Sequence, residues 1–167
     1  NQNTVHILPG EYSRTDNAQV FPIAMKSWVI VQGSGIDTTT VILEPHPDIP
    51  LGYGYWDKIF RATRVYSSTL ANMKLISRNS ANSGAVYGIY ESTINLKDIY
   101  ISDFRPDHAA VIRLSSSSER ETIWENVTIE NISTPNSGLV NIDLPIFGSI
   151  KNSKFRNAVS TYVSSSV

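Results

Sequence analysis

The sequence predicts an all-β chain wound as a single-stranded, right-handed parallel β-helix, a solenoid with coils of roughly 26 residues. Three observations predict it. Four segments share the pattern apolar-x-(Asn/Asp)-apolar-x-apolar: Leu70-Ala-Asn-Met-Lys-Leu-Ile76, Leu96-Lys-Asp-Ile-Tyr-Ile101, Trp124-Glu-Asn-Val-Thr-Ile129 and Ile150-Lys-Asn-Ser-Lys-Phe155, with Ser153 the one weak apolar slot. Their polar positions, Asn72, Asp98, Asn126 and Asn152, are separated by 26, 28 and 26 residues. A second series, half a period out of phase, runs through Ile59-Phe60, Val86-Tyr-Gly-Ile-Tyr90, Val111-Ile-Arg-Leu114 and Leu139-Val-Asn-Ile-Asp-Leu144. It aligns Phe60, Tyr87, Ile112 and Val140. Apolar residues alternate within each segment, which is the strand period and not the helix period.

Short strands repeated in this way cannot each bury a face alone, but stacked in parallel they form one continuous core. Val31, Met73, Leu75, Ile99, Ile101, Val127, Ile129 and Phe155 are expected to point inward, with Tyr100 and Thr128 outward. The recurrent Asn/Asp suits a tight corner, because a short polar side chain tolerates left-handed backbone and its amide can hydrogen-bond up the stack. Before these repeats the pattern is different: Val5-His-Ile-Leu-Pro-Gly-Glu-Tyr12, Phe21-Pro-Ile-Ala-Met25, Trp28-Val-Ile-Val-Gln-Gly-Ser-Gly35 and Thr38-Thr-Thr-Val-Ile-Leu43. This run resembles the opening coils of the pectin-lyase-like superfamily, in which V-x-I-x-P-G-x-Y precedes I-x-L-x-G-x-G and then T-x-I. It is most similar to microbial surface β-helix proteins that carry F-P-I in that place, and more weakly to pectinesterases. The expected organisation is one β-helix domain over residues 1–167: opening coils 1–43, an inserted loop 44–58 and repeated coils 59–167. The domain is expected to be a piece of, or a repeating unit in, a larger assembly.

Composition narrows the function classes. Charged residues are only 17% of the chain, and Ser, Thr and Asn supply more than a quarter of it. Lys+Arg 14 against Asp+Glu 15 gives a net charge of -1 without a basic stripe, which argues against nucleic acid as a partner. Apolar runs reach about five residues, far short of the roughly 18 of a membrane span. With no cysteine, thiol catalysis and thiolate metal sites are excluded. The chain opens on Asn1-Gln2-Asn3 without Met, so the expected localisation is extracellular or cell-surface, with a signal already removed.

Two stretches hold residues capable of chemistry. In the inserted loop, Tyr53, Tyr55 and Trp56 can stack on sugar rings, with Asp57 and Lys58 bonding hydroxyls; covering the loop's own side of the solenoid is the competing role. Asp103, Arg105, Asp107 and His108 are the one convergence of carboxylates, Arg and His, able to supply an acid, a base and an anion clamp. The resemblance to pectinesterases implies a Gln-Asp pair followed by a second Asp one coil later. Asp107 and Asp143 fall near those positions, but Pro106 stands where the Gln should be, and the Arg-Pro-Trp run is missing. No metal-ligand spacing occurs among the histidines and no cofactor motif is present.

Two readings follow. The first is a non-catalytic extracellular β-solenoid, a structural or surface module whose open ends self-associate head to tail into filaments. The second is a carbohydrate-active enzyme (polysaccharide lyase, glycoside hydrolase or carbohydrate esterase) or a polysaccharide-binding fragment.

Overall fold

A computed structural model of the chain describes residues 2–45, 58–78, 84–89, 92–105, 110–115, 121–134, 140–143 and 147–160. It is a parallel β-solenoid whose coils stack about 26 residues apart. The strands are β1 (Asn3–Ile7), β2 (Gly10–Tyr12), β3 (Ile23–Ala24), β4 (Val29–Gly33), β5 (Thr39–Leu43), β6 (Lys58–Thr63) and β7 (Ser68–Ser77). They continue through β8 (Gly84–Ile89), β9 (Ile94–Ser102), β10 (Ile112–Ser115), β11 (Glu121–Thr134), β12 (Val140–Asp143), β13 (Phe147–Lys151) and β14 (Lys154–Ser160). A four-residue helix, α1 (Arg14–Asn17), is the one helix among the described residues. No described helix is long and apolar enough to cross a membrane.

One sheet runs β1-β4-β7-β9-β11-β13, with β2, β5 and β14 as its second arm; the other runs β12-β10-β8-β6-β3. Every pairing is parallel and advances by about one coil, so equivalent side chains stand above one another in rows. Val5, Val31, Leu70, Leu96, Trp124 and Ile150 form one row. Tyr12, Val41, Leu75, Ile101, Ile129 and Phe155 form another. Between them Met73, Ile99 and Val127 stack, and all three are buried. Facing these rows, Phe60, Val86 and Ile112 line the second sheet. The core is the space enclosed by the two sheets.

The corner between the two arms explains the Asn/Asp repeat. Asn72, Asp98, Asn126 and Asn152 have φ of 54°, 52°, 55° and 51°, the left-handed region that short polar side chains enter most easily. The Asn126 amide donates to the Asp98 carboxylate at 2.7 Å, the expected rung of a polar ladder. A second corner recurs at Asp103, Asn131 and Asn157, all with positive φ, and there the Asn157 amide donates to Asn131 at 3.4 Å. Where Ser153 occupies the weak apolar slot, its hydroxyl accepts the Val127 N–H at 3.2 Å and donates to the Lys151 carbonyl at 2.9 Å. Serine therefore replaces core contact with backbone hydrogen bonding at this step.

Two expectations need correction. Phe155 lies in register with Ile129, as expected, but is 45% exposed because no described strand pairs on its far side. In the second sheet Val86, and not Tyr87, aligns with Phe60 and Ile112. The N–H groups of Ala85 and Val86 both donate to the Val111 carbonyl, at 2.8 and 3.2 Å. The offset between β6 and β8 is the same before and after Ala85, and Gly84, Ala85 and Val86 are all buried, so the strand has no alternation here from which to read its register.

Candidate functional site

The first coil is shaped by two stacked turns. Gly10 has a φ of 150°, which a side chain would strain. The Tyr12 hydroxyl donates to the Leu8 carbonyl at 2.9 Å, and the Gly10 N–H donates to the Thr38 carbonyl at 2.8 Å. Pro-Gly-x-Tyr spacing thus closes its own turn and ties it to the next coil. Below it, a Cβ on Gly33 would lie 2.4 Å from the Asn72 carbonyl oxygen, so this approach of two coils requires glycine. The Ser34 hydroxyl donates to the Ile7 carbonyl at 2.9 Å, completing the tie.

After the turn, Ser13 caps α1. Its hydroxyl accepts the Asp16 N–H at 2.9 Å, and the Asp16 carboxylate lies 2.9 Å from the same hydroxyl. The Glu44 carboxylate takes both the N–H and the hydroxyl of Thr15, at 2.8 and 2.6 Å. Arg78 joins the cluster, 3.1 Å from Asp16 and 3.3 Å from Glu44, with Glu11 at 4.0 Å. Hydrogen bonds from Ser13 and Arg78 hold the Asp16 carboxyl below its usual range. Burial pushes Glu44 up, but the Thr15 hydroxyl and amide together with Arg78 outweigh it and hold it down.

Because both carboxyls titrate lower folded than unfolded, the unfolded chain takes up protons first on acidification. The stabilisation is complete above the ordinary carboxylate range and is lost as the pH falls through it. The thermal midpoint should therefore drop between about pH 6 and about pH 3, and Arg78→Ala should make that drop shallower. Equal slopes in wild type and variant would remove the cluster as its source.

The first coil encloses an open apolar cup of about 500 Å³ at one end of the solenoid, lined by Val5, Ile7, Leu8, Tyr12, Ile23, Met25, Val29, Val31 and Val41 with a few polar neighbours. Val5 is 53% exposed and Leu8 more so. Among the described strands, β1 and β2 pair on one side, with β4 and β5. At the opposite end of the described coils β13 and β14 pair, among the described strands, with β11, and Ile150 (53% exposed) and Phe155 project from them. Among the described residues these two end faces are the concentration of exposed apolar side chains beside unpaired strand edges.

Of the residues singled out from sequence, Tyr53, Tyr55, Trp56, Asp57, Asp107 and His108 lie outside the described residues. Asp103 is exposed at the second corner, with φ 65°, and its carboxylate accepts the Ser102 hydroxyl at 2.6 Å. Arg105 is exposed two residues on. Lys58, expected to bond sugar hydroxyls, is instead buried at the start of β6 and faces no solvent. Asp143 ends β12, paired with Ser115 in the second sheet, whereas Asp103 follows β9 in the first. No described group of three or more His, Asp or Glu is arranged to hold a metal ion. The Asp16–Glu44–Arg78 cluster escaped the sequence reading, although Ser13-x-x-Asp16 is a helix-start signal that could have located its core.

Stacked parallel coils of this kind define the chain as a β-solenoid, a fold compatible with a β-helix superfamily. No protein-family model, curated protein or solved structure matches the chain.

Proposed function

We propose that the protein is a non-catalytic, extracellular or cell-surface β-solenoid of the pectin-lyase-like kind, a structural module whose end faces associate head to tail. One observation carries the reading. Among the described residues, β1 and β2 at one end and β13 and β14 at the other pair on one side only, next to exposed core-row side chains: a cup at one end and Ile150 with Phe155 at the other. Unpaired edges of this sort are templates for strand addition. The two faces differ, so their pairing is heterologous and repeats without closing, which builds a filament. A surface poor in charge and rich in Ser, Thr and Asn opposes this only weakly. The polysaccharide reading rests on the resemblance over residues 4–43, on Tyr53, Tyr55, Trp56 and Asp57, and on Asp103, Arg105, Asp107 and His108, and no described arrangement adds to it.

Sedimentation velocity of the 167-residue chain, with electron microscopy of the same sample, tests the proposal. Concentration-dependent elongated species are expected, with the amides of β1 and β14 becoming protected from hydrogen exchange on assembly. A monomer throughout the micromolar range, or ends protected without association, would overturn it.

A further inference from the structure

We propose that residues 14–20 form an acid-released strap, which detaches from the wall of the solenoid as one unit on acidification while the coils beneath it stay wound. The inference concerns one corner of the fold and stands apart from any association between copies. The strap runs between two buried points, Ser13 and Phe21, yet none of its own residues is buried. At its centre α1 contributes no side chain to the core. A segment without buried apolar area belongs to the low-stability end of a structure and is held by polar contacts. Within its own coil the Gln19 N–H donates to the Ser13 carbonyl at 2.9 Å, and the Asn17 amide donates to the Glu11 carbonyl at 2.7 Å.

The hydrogen bonds that tie the strap to the next two coils end, among the described residues, on Glu44 or Arg78. Thr15 gives its N–H and its hydroxyl to the Glu44 carboxylate, and Arg14 donates to the Glu44 carbonyl at 3.2 Å. The Asp16 carboxylate accepts from Arg78. Both anchors are fixed by the parallel ladder: they directly follow β5 and β7, and the Arg78 N–H donates to the Leu43 carbonyl at 2.8 Å. The charged groups that face Glu44 among the described residues are Arg14 and Asp16 of α1 and Arg78, and Glu11 of β2 reaches the same guanidinium at 4.0 Å. Protonating Glu44 and Asp16 turns charge-assisted hydrogen bonds into weaker neutral ones and removes both ion pairs to Arg78. Closure of the strap is therefore favoured above the ordinary carboxylate range and is lost as the pH falls through it. Release also lifts the Arg14 guanidinium from the Phe21 ring, whose centre lies 6.0 Å away. The repeated coils do not depend on this charge, since buried rows such as Leu75, Ile101 and Ile129 hold their strands.

Amide hydrogen exchange on the 167-residue chain between about pH 7 and about pH 3, corrected for the intrinsic pH dependence of exchange, tests the strap. The N–H groups of Thr15, Asp16 and Gln19 are expected to lose protection roughly ten-fold or more below about pH 4, while those of β7 and β9 keep theirs. Glu44→Gln keeps the size of the anchor but removes its charge and one acceptor oxygen. At neutral pH this variant should already show the strap protection that wild type reaches in acid, and trypsin should cut it after Arg14 faster than wild type. Strap amides that lose protection only together with β7 and β9 report global unfolding and overturn the proposal. So does protection that persists to about pH 3, or a Glu44→Gln profile identical to that of wild type. Should Glu44→Gln fail to fold, the wild-type series decides alone.

Discussion

Trp124→Ala is expected to destabilise the protein by about 3–5 kcal/mol, the cost of emptying a large aromatic site that its surroundings can refill only in part. Trp124 is 1% exposed and is the largest fully buried side chain described. It stands in the row between Leu96 and Ile150. Its neighbours are strands fixed by parallel pairing on β11, so the backbone cannot collapse into the space without breaking the register. The indole N–H has no hydrogen-bond partner among the described residues, so hydrogen bonding contributes nothing to the loss. Trp124→Phe, which retains most of the apolar volume and removes that buried donor, should therefore cost much less, under about 2 kcal/mol. Urea unfolding followed by circular dichroism, with unchanged slope, measures both. A Trp124→Ala cost below about 1 kcal/mol would show that the coil around β11 is not packed as described.

What could be read in the sequence, and what could not, follows from where periodicity is physically enforced. The corners at Asn72, Asp98, Asn126 and Asn152 were legible because left-handed backbone restricts residue choice at one fixed point of each coil. The rows through Leu75, Ile101 and Ile129 were legible because alternation continues unbroken between those corners. Tyr87 was misplaced because Ala85, Val86 and Tyr87 give no strict alternation from which to choose the aligned position. Phe155 has the pattern of a core residue, and pattern alone does not report whether another strand lies beyond it. The ionic cluster joins Asp16, Glu44 and Arg78 across three coils, a distance in sequence that no local motif spans. The apolar cup was foreshadowed only as an open end. Its shape depends on Leu8, Tyr12 and Met25 arriving from separate strands and turns.

Ile101→Ala is the second large effect, an expected loss of about 2–5 kcal/mol, and it tests the register directly. Ile101 is fully buried, stacked between Leu75 and Ile129 in the middle of its row, so truncation leaves a cavity walled above and below by side chains on paired strands. Thr128 is the matched control. It lies on β11 in register with Tyr100, next to Ile129 but on the outer face, and Thr128→Ala should cost less than about 0.5 kcal/mol. Tyr100 itself is not an equivalent control, although it points outward from the position beside Ile101. Its hydroxyl donates to the Glu130 carboxylate, which together with burial holds the phenol above its usual range. The Lys74 ammonium lies 5.2 Å from the centre of its ring. Tyr100→Ala removes both interactions, so its cost should fall between those of the other two. Should Ile101 and Thr128 destabilise equally under urea, inward and outward faces have been exchanged, and with them the row through Val41, Leu75, Ile101 and Ile129.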